Sequence, residues 1–303
     1  MTITDNGSIP VARPRPPVWQ MVIAVAVLQT IAGVCYPIAK YGLGIIEPFT
    51  FAFYRYLLSS AVLLAIVYSR VRTPKVEKAD WWKIVGLGFA VIPVNQTLFL
   101  VGQSLTGAGH GALLFSTVPV WILLIAAIHL KEKASWRRLV GILVAIGGVT
   151  TIMWSGLADF GSEYLLGDLI IVVSVVSWGY YAVMGKPLVA KYGALRTTAY
   201  ALAFGSAMYL PFGAWFAWKY DYSQATLGAW GSVIYMAIGL SVIVYVLWNW
   251  LLKYLDASRV AVYQNIQPIL AATVAYLFLG ETLSSTFLVG GAIVILGMIF
   301  TEM

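Results

Sequence analysis

Apolar residues along this chain neither alternate nor form narrow helical stripes. They come in runs of about 18 to 25, parted by short polar, glycine- or proline-bearing breaks, and about 20 apolar residues in a helix cross the roughly 30 Å hydrocarbon core of a bilayer. Run by run, this predicts ten spans, at 18–41, 50–69, 82–103, 108–130, 136–154, 166–186, 196–218, 228–252, 259–279 and 285–301. The longest break, from Arg70 to Trp81, leaves no room for a folded soluble domain. The expected fold class is an all-α membrane protein with ten transmembrane helices. Residues 1–17 are a polar, proline-rich tail without the basic start, short apolar core and small-residue cleavage site of a signal peptide, so the run from Val18 is read as a retained first helix.

Composition strengthens that picture. Of 303 residues, 61% are hydrophobic and 10% charged, against about a quarter charged in soluble domains. Charge then orients the spans. With the N-terminus in the cytoplasm, sixteen lysines and arginines fall on the inner side, only Lys40 and Lys219 on the outer, and Arg55 inside span two. Cytoplasmic loops collect basic residues, so the net charge of +7 is a topology signal and nucleic acid is not an expected partner. Both termini are expected in the cytoplasm. The single cysteine, Cys35, has no disulfide partner, and His110 and His129 make no metal-ligand spacing. No metal or cofactor is expected.

The chain also repeats. A shift of 149 lays residues 106–153 on 255–302 without a gap, matching Pro119 with Pro268, Glu132 with Glu281, Gly141 with Gly290 and Gly148 with Gly297. "AKYG" occurs at 39–42 and 190–193, an offset of 151, with the first copy at a predicted helix end and the second just beyond one. Five spans per half is an odd number, so the second half enters the membrane from the opposite side. The expected division is a first repeat over 18–154, an outer linker over 155–165 and a second repeat over 166–303. Inverted repeats underlie many alternating-access transporters, with substrate near the bilayer midplane.

The blocks "ALLFSTVPVWILLIAAIHLKEKASWRRLVGILVAIGGV" and "VAVYQNIQPILAATVAYLFLGETLSSTFLVGGAIVILGM", together with "FAFYRYLLSS", resemble the paired halves of the drug/metabolite transporter superfamily in its ten-helix, EamA-type branch. "VVSWGYYAVMGKP" and the wealth of tryptophan and tyrosine are similar to the bacterial aromatic amino acid exporter group within it. The resemblance implies solute export across a bacterial inner membrane and leaves the substrate open.

Polar and aromatic side chains deep in the spans are the candidate site residues, because such groups are costly against lipid and should face protein or water. Span nine offers Gln264 and Gln267, three apart on one face; Gln264 ranks first because Pro268 deprives its carbonyl of the usual partner. Tyr36 on span one, Asn95 and Gln96 on span three, Trp178 and Tyr181 on span six, and Tyr245 and Asn249 on span eight complete the expected substrate wall. Pro119 and Pro268, expected mid-helix, are candidate hinges, as are Gly33 and Gly185; a packing kink is the competing reading. Arg55 is read as a structural charge that either snorkels outward or binds helix-end carbonyls or a substrate carboxylate. Glu132 and Glu281 are read as structural or gating contacts near the surface, and the paired glycines as close-packing positions.

No aspartate or glutamate falls near the middle of a span, which disfavours a proton-coupled cation pump. The expected chamber is uncharged and suited to small neutral or zwitterionic solutes, amino acids foremost; other metabolites or drugs, or a passive channel, are the alternatives. An intramembrane enzyme is disfavoured: HExxH is absent, no two aspartates lie deep, and both histidines lie near span ends. The expected partners are a small-molecule solute and the lipid bilayer, and monomer and homodimer both stay open.

Overall fold

The computed structural model describes residues 16–70, 75–105, 114–115, 117–131, 135–152, 165–267, 270 and 285–302. These form ten helical spans and, among the described residues, no strand. They are α1 (Val18–Leu43), α2 (Pro48–Arg70), α3 (Lys78–Leu105), α4 (Val118–His129), α5 (Trp136–Ile152), α6 (Leu165–Tyr192), α7 (Ala194–Lys219), α8 (Leu227–Leu251), α9 (Ala257–Val262, continued by a 3-10 turn over Tyr263–Ile266) and α10 (Ser285–Glu302). Of these, α1, α2, α3, α6 and α8 are long and apolar enough by themselves to cross a membrane. Helix is the solution the bilayer demands, since it satisfies each backbone N–H and C=O within its own segment.

The glycines of the repeat hold the two halves together. At the crossing of α5 and α10, a Cβ on Gly148 would lie 2.6 Å from the Val294 nitrogen and 2.7 Å from the Gly290 carbonyl oxygen. A Cβ on Gly297 would lie 2.6 Å from the Ala145 nitrogen and 2.7 Å from the Gly141 oxygen. The shift of 149 exchanges these two sets of contacts residue for residue, so the crossing maps onto itself under a pseudo-twofold operation. The pattern recurs elsewhere. Helix α3 packs on α7, where a Cβ on Gly88 would meet the Ala201 oxygen at 2.5 Å, and their counterparts α8 and α2 pack on each other. Counterparts α2 and α7 also meet directly, through a 2.6 Å bond between the Ser60 and Ser206 hydroxyls. The chain is therefore two inverted five-helix repeats.

The third span of each half is not a plain α-helix. Helix α3 widens into a π turn over Ala90–Gln96, and α8 does so over Tyr235–Val244. In α3 the cause is visible: Pro93 lies inside the turn and has no N–H to give. In both spans a hydroxyl donates to the carbonyl five residues back, Thr97 to Ile92 at 2.9 Å and Ser241 to Met236 at 3.1 Å. Such turns insert an extra residue and rotate the face presented by everything after them.

Ionic contacts gather at the end of the bundle rich in lysine and arginine. Asp80, buried at the head of α3, accepts from Tyr192 Oη at 2.6 Å, Lys191 Nζ at 2.8 Å and Lys83 Nζ at 2.8 Å. Asp256, between α8 and α9, accepts from Arg138 at 3.0 Å and Lys186 at 3.4 Å. Burial raises the Asp256 pKa, but the charges of Lys186 and Arg138 outweigh it and hold the carboxyl below its ordinary value.

One boundary differs from expectation. Span six was expected to stop at 186, leaving the second AKYG outside a helix. Helix α6 instead runs through Pro187 to Tyr192, held by the Lys191 and Tyr192 bonds to Asp80. Both AKYG copies therefore close the first helix of their half. Their glycines differ in use. Gly193 adopts φ +87° and makes the one-residue turn into α7, a left-handed conformation glycine reaches without strain. Gly42 lies inside α1, where a Cβ would meet Phe51 at 2.6 Å.

Candidate functional site

A small cavity, of about 60 Å3, lies between the halves, walled by α1, α3, α6, α8 and the turn after α9. Helix α1 brings Cys35 and Tyr36, α3 brings Gln96 and Phe99, α6 brings Trp178, α8 brings Tyr245 and Trp248, and the segment after α9 brings Gln264 and Gln267. Six of the expected wall residues thus meet in one place: Tyr36, Gln96, Trp178, Tyr245, Gln264 and Gln267.

The aromatic side is built around Trp178. Its ring meets Tyr245 edge-on at 5.0 Å and 75°, lies 5.3 Å from Trp248 and stacks on Tyr181 at 5.4 Å. Edge-on and offset pairs add about 0.5–1.5 kcal/mol each beyond burial. The amide side is a chain of bonds. Gln267 Nε2 donates to Gln29 Oε1 at 2.8 Å, and Tyr36 Oη donates to Gln267 Oε1 at 3.3 Å.

Asn95, Tyr181 and Asn249 do not line the cavity. Asn95 Nδ2 donates to the Ser174 carbonyl at 2.8 Å and the Ser174 hydroxyl at 3.1 Å, joining α3 to α6, and its Oδ1 accepts from Gln96 Nε2 at 2.5 Å. Asn249 Nδ2 donates to Tyr181 Oη at 2.8 Å and Thr198 Oγ1 at 2.7 Å, joining α8 to α6 and α7. These three hold the wall from behind. Gly33 is a close-packing point, since a Cβ there would lie 3.1 Å from the Gln267 carbonyl oxygen. Gly185 has ordinary space around it, with Leu87 at 3.7 Å. Pro119 occupies the second position of α4, after a turn at Thr117 that follows helical residues 114 and 115. Pro268, Glu132 and Glu281 lie outside the described residues.

Much of the apolar wall was not foreseen: Leu28, Ala32, Cys35, Phe115, Leu240 and Val244. Leu240, Val244 and Trp248 are four apart on α8, which is a legible stripe, but the π turn decides that this stripe faces the cavity.

Among the described residues no charged side chain lines the cavity, but Arg55 stands directly behind its wall, bonded to the lining Gln96. It is fully buried, at 0% exposure, and does not snorkel. Its Nε donates to Ser241 Oγ at 3.1 Å, on the π turn of α8, and one Nη donates to Gln96 Oε1, on the π turn of α3. It lies 5.6 Å from the Tyr56 ring centre. Among the described residues the other Nη has no partner and no carboxylate pairs with it. Three donors on lining residues also lack an acceptor among the described residues: Trp178 Nε1, Trp248 Nε1 and Tyr245 Oη. Gln264 Oε1 is an acceptor in the same position.

A cavity at the interface of inverted halves can bind a solute and release it to either side as the halves rock, and known proteins bear on what it serves. The model of the EamA-like transporter family matches residues 19–154 and again residues 165–303. An uncharacterised transporter of Archaeoglobus fulgidus is 30% identical over 265 residues, covering 86% of this chain and 90% of that protein. A protein of Streptantibioticus cattleyicolor named "Probable terminal-alkyne amino-acid exporter" is 28% identical, covering 80% of each chain. A solved crystal structure superposes with a TM-score of 0.77 at 17% identity, covering 93% of this chain and 98% of that one, so the fold is shared. With both halves matched by one family and its relatives aligned nearly end to end, this chain belongs to the EamA-like transporter family.

Proposed function

We propose that this transporter exports small neutral or zwitterionic solutes, amino acids foremost, by alternating access through the cavity between its halves. One observation carries the reading: an aromatic wall of Trp178, Tyr245 and Trp248 stands in the same cavity as Gln96, Gln264 and Gln267. Such a chamber gives an apolar body a surface to lie on and a polar head groups to bond. The kinship with a probable amino-acid exporter supports the class of solute. The excess of lysine and arginine on one side of the spans supports an orientation with both termini in the cytoplasm, and the exporter reading puts the chain in a cell inner membrane.

Vesicles reconstituted with the purified chain and loaded with labelled amino acids test this. The expected result is efflux faster than from protein-free vesicles, and faster again when unlabelled amino acid is added outside. That trans-acceleration belongs to a carrier whose loaded form reorients and not to a passive channel. Absence of efflux for all amino acids ends the substrate reading; efflux without trans-acceleration ends the alternating-access reading.

A further inference from the structure

Arg55 is the most expensive side chain in the molecule to explain. A guanidinium stays charged at every accessible pH, and a buried charge is ordinarily paired with an opposite one. Here both of its bonded partners are neutral, Ser241 and Gln96. Among the described residues one Nη has no partner. Gln96 itself is a cavity wall residue, so the arginine sits directly behind the wall and its field reaches the cavity.

The cavity's own unspent groups have the same polarity. Trp178 and Trp248 offer indole N–H groups that can only donate, and Tyr245 offers a hydroxyl. Unspent donors buried in the wall, with a buried cation directly behind it, suit an anion. A carboxylate fits best, because two coplanar oxygens match the fork of a guanidinium. Gln264 Oε1, the unspent acceptor, suits an N–H of the same solute.

We propose that Arg55 anchors the carboxylate of the transported solute, with Gln96 as the movable neighbour that holds the guanidinium when no anion is present. The assignment rests on the exporter reading and sharpens it: the solute carries a carboxylate on an apolar or aromatic body. Because Arg55 also bonds both π turns, one from each half, the arrival of an anion would redistribute the only hydrogen bonds Arg55 makes to α3 and α8.

The test is a binding panel on the purified full chain, read by the fluorescence of its tryptophans. Four ligands share one phenyl body: L-phenylalanine, 3-phenylpropionate with only the carboxylate, 2-phenylethylamine with only the amine, and L-phenylalaninamide with the carboxylate neutralised. The expected result is that the two carboxylates bind at least tenfold more tightly than the amine and the amide. Arg55→Gln should weaken the carboxylates at least tenfold and leave the other two within twofold. Arg55→Lys, which keeps the charge and loses the fork, should fall between.

If Arg55→Gln does not give monodisperse protein, the Lys variant and the wild-type panel decide. A merely structural arginine would weaken all four ligands together. The assignment is overturned if the amine or amide binds wild type as well as the carboxylates do, if Arg55→Gln binds carboxylates within twofold of wild type, or if no carboxylate binds. Failure of the two readings is distinguishable. Amino-acid efflux with Arg55-independent binding removes the anchor alone, whereas Arg55-dependent binding of 3-phenylpropionate without amino-acid efflux removes the amino-acid reading alone.

Discussion

The α5–α10 crossing and the central cavity are built from opposite materials. At the crossing, Gly148 and Gly297 lie so close to the backbone at Gly290 and Gly141 that a carbon added to either has nowhere to go. Around the cavity, α3 and α8 are loosened by π turns, and Arg55, Trp178, Tyr245, Trp248 and Gln264 keep unspent hydrogen-bonding groups. Lipid tails are as apolar as leucine, so close backbone approach is what holds membrane helices together. Incomplete polar satisfaction costs stability and is tolerated where a ligand completes it. The difference assigns the crossing to permanence and the cavity to change.

The hardest blow to that contrast falls on the crossing. Gly148→Leu should abolish monodisperse protein in detergent, and Gly148→Ala should lower stability by about 1–3 kcal/mol through overpacking. Gly147→Ala, one residue away where a Cβ meets nothing within 4 Å, should leave the thermal midpoint unchanged. Equal midpoints for the two alanine variants would show that the crossing yields and is not a fixed seam.

At the cavity the order of effects should reverse. Trp178→Ala should lower transport at least about tenfold, equivalent to roughly 1.4 kcal/mol of solute binding, while membrane insertion is retained. Trp178→Phe keeps the ring, loses the N–H and should fall between. Vesicle efflux at matched protein levels measures both, and wild-type rates in the alanine variant would remove Trp178 from the site.

Smaller effects should appear at the ionic end. Tyr192→Phe deletes the 2.6 Å bond to Asp80 but leaves two lysines on that carboxylate, so about 1 kcal/mol of stability is the expected loss. Thermal unfolding measures it, and an unchanged midpoint would make that cluster ornamental.

The smallest effect is the acid limb of Asp256. Its carboxyl is held below the usual value, so its contribution is complete above the unfolded carboxylate pKa of about 3.9 and is lost as pH falls through the folded value. The Asp256 side chain is 42% exposed, so the change should stay under about 1 kcal/mol. Arg138→Gln should flatten that limb in a stability scan below pH 5; an unaltered limb would assign acid sensitivity elsewhere.

Much of the fold was legible because the bilayer reads composition directly. Ten apolar runs became ten spans, and the glycines and the offset of 149 became a symmetric crossing. The boundary at span six was misread because Pro187 looks like a terminator, and only the distant Asp80 shows why the helix continues past it. The candidate site was legible as a set of helices more than as a set of side chains. Gln96 and Asn95 are adjacent amides in sequence; one lines the cavity and the other is consumed by Ser174.

By itself the sequence determined the solvent, the number of spans and the duplication, since each depends on how apolar the runs are and how they recur along the chain. It also supplied a short roster of polar residues too costly to face lipid. Only the tertiary structure decided which of them face the cavity, and that Arg55 lies buried between the halves. The reason is physical. A π turn shifts the phase of all that follows it, and an amide or guanidinium in a low-dielectric interior accepts whichever partner the neighbouring helices bring within 3 Å, a choice made across the bundle and not along the chain.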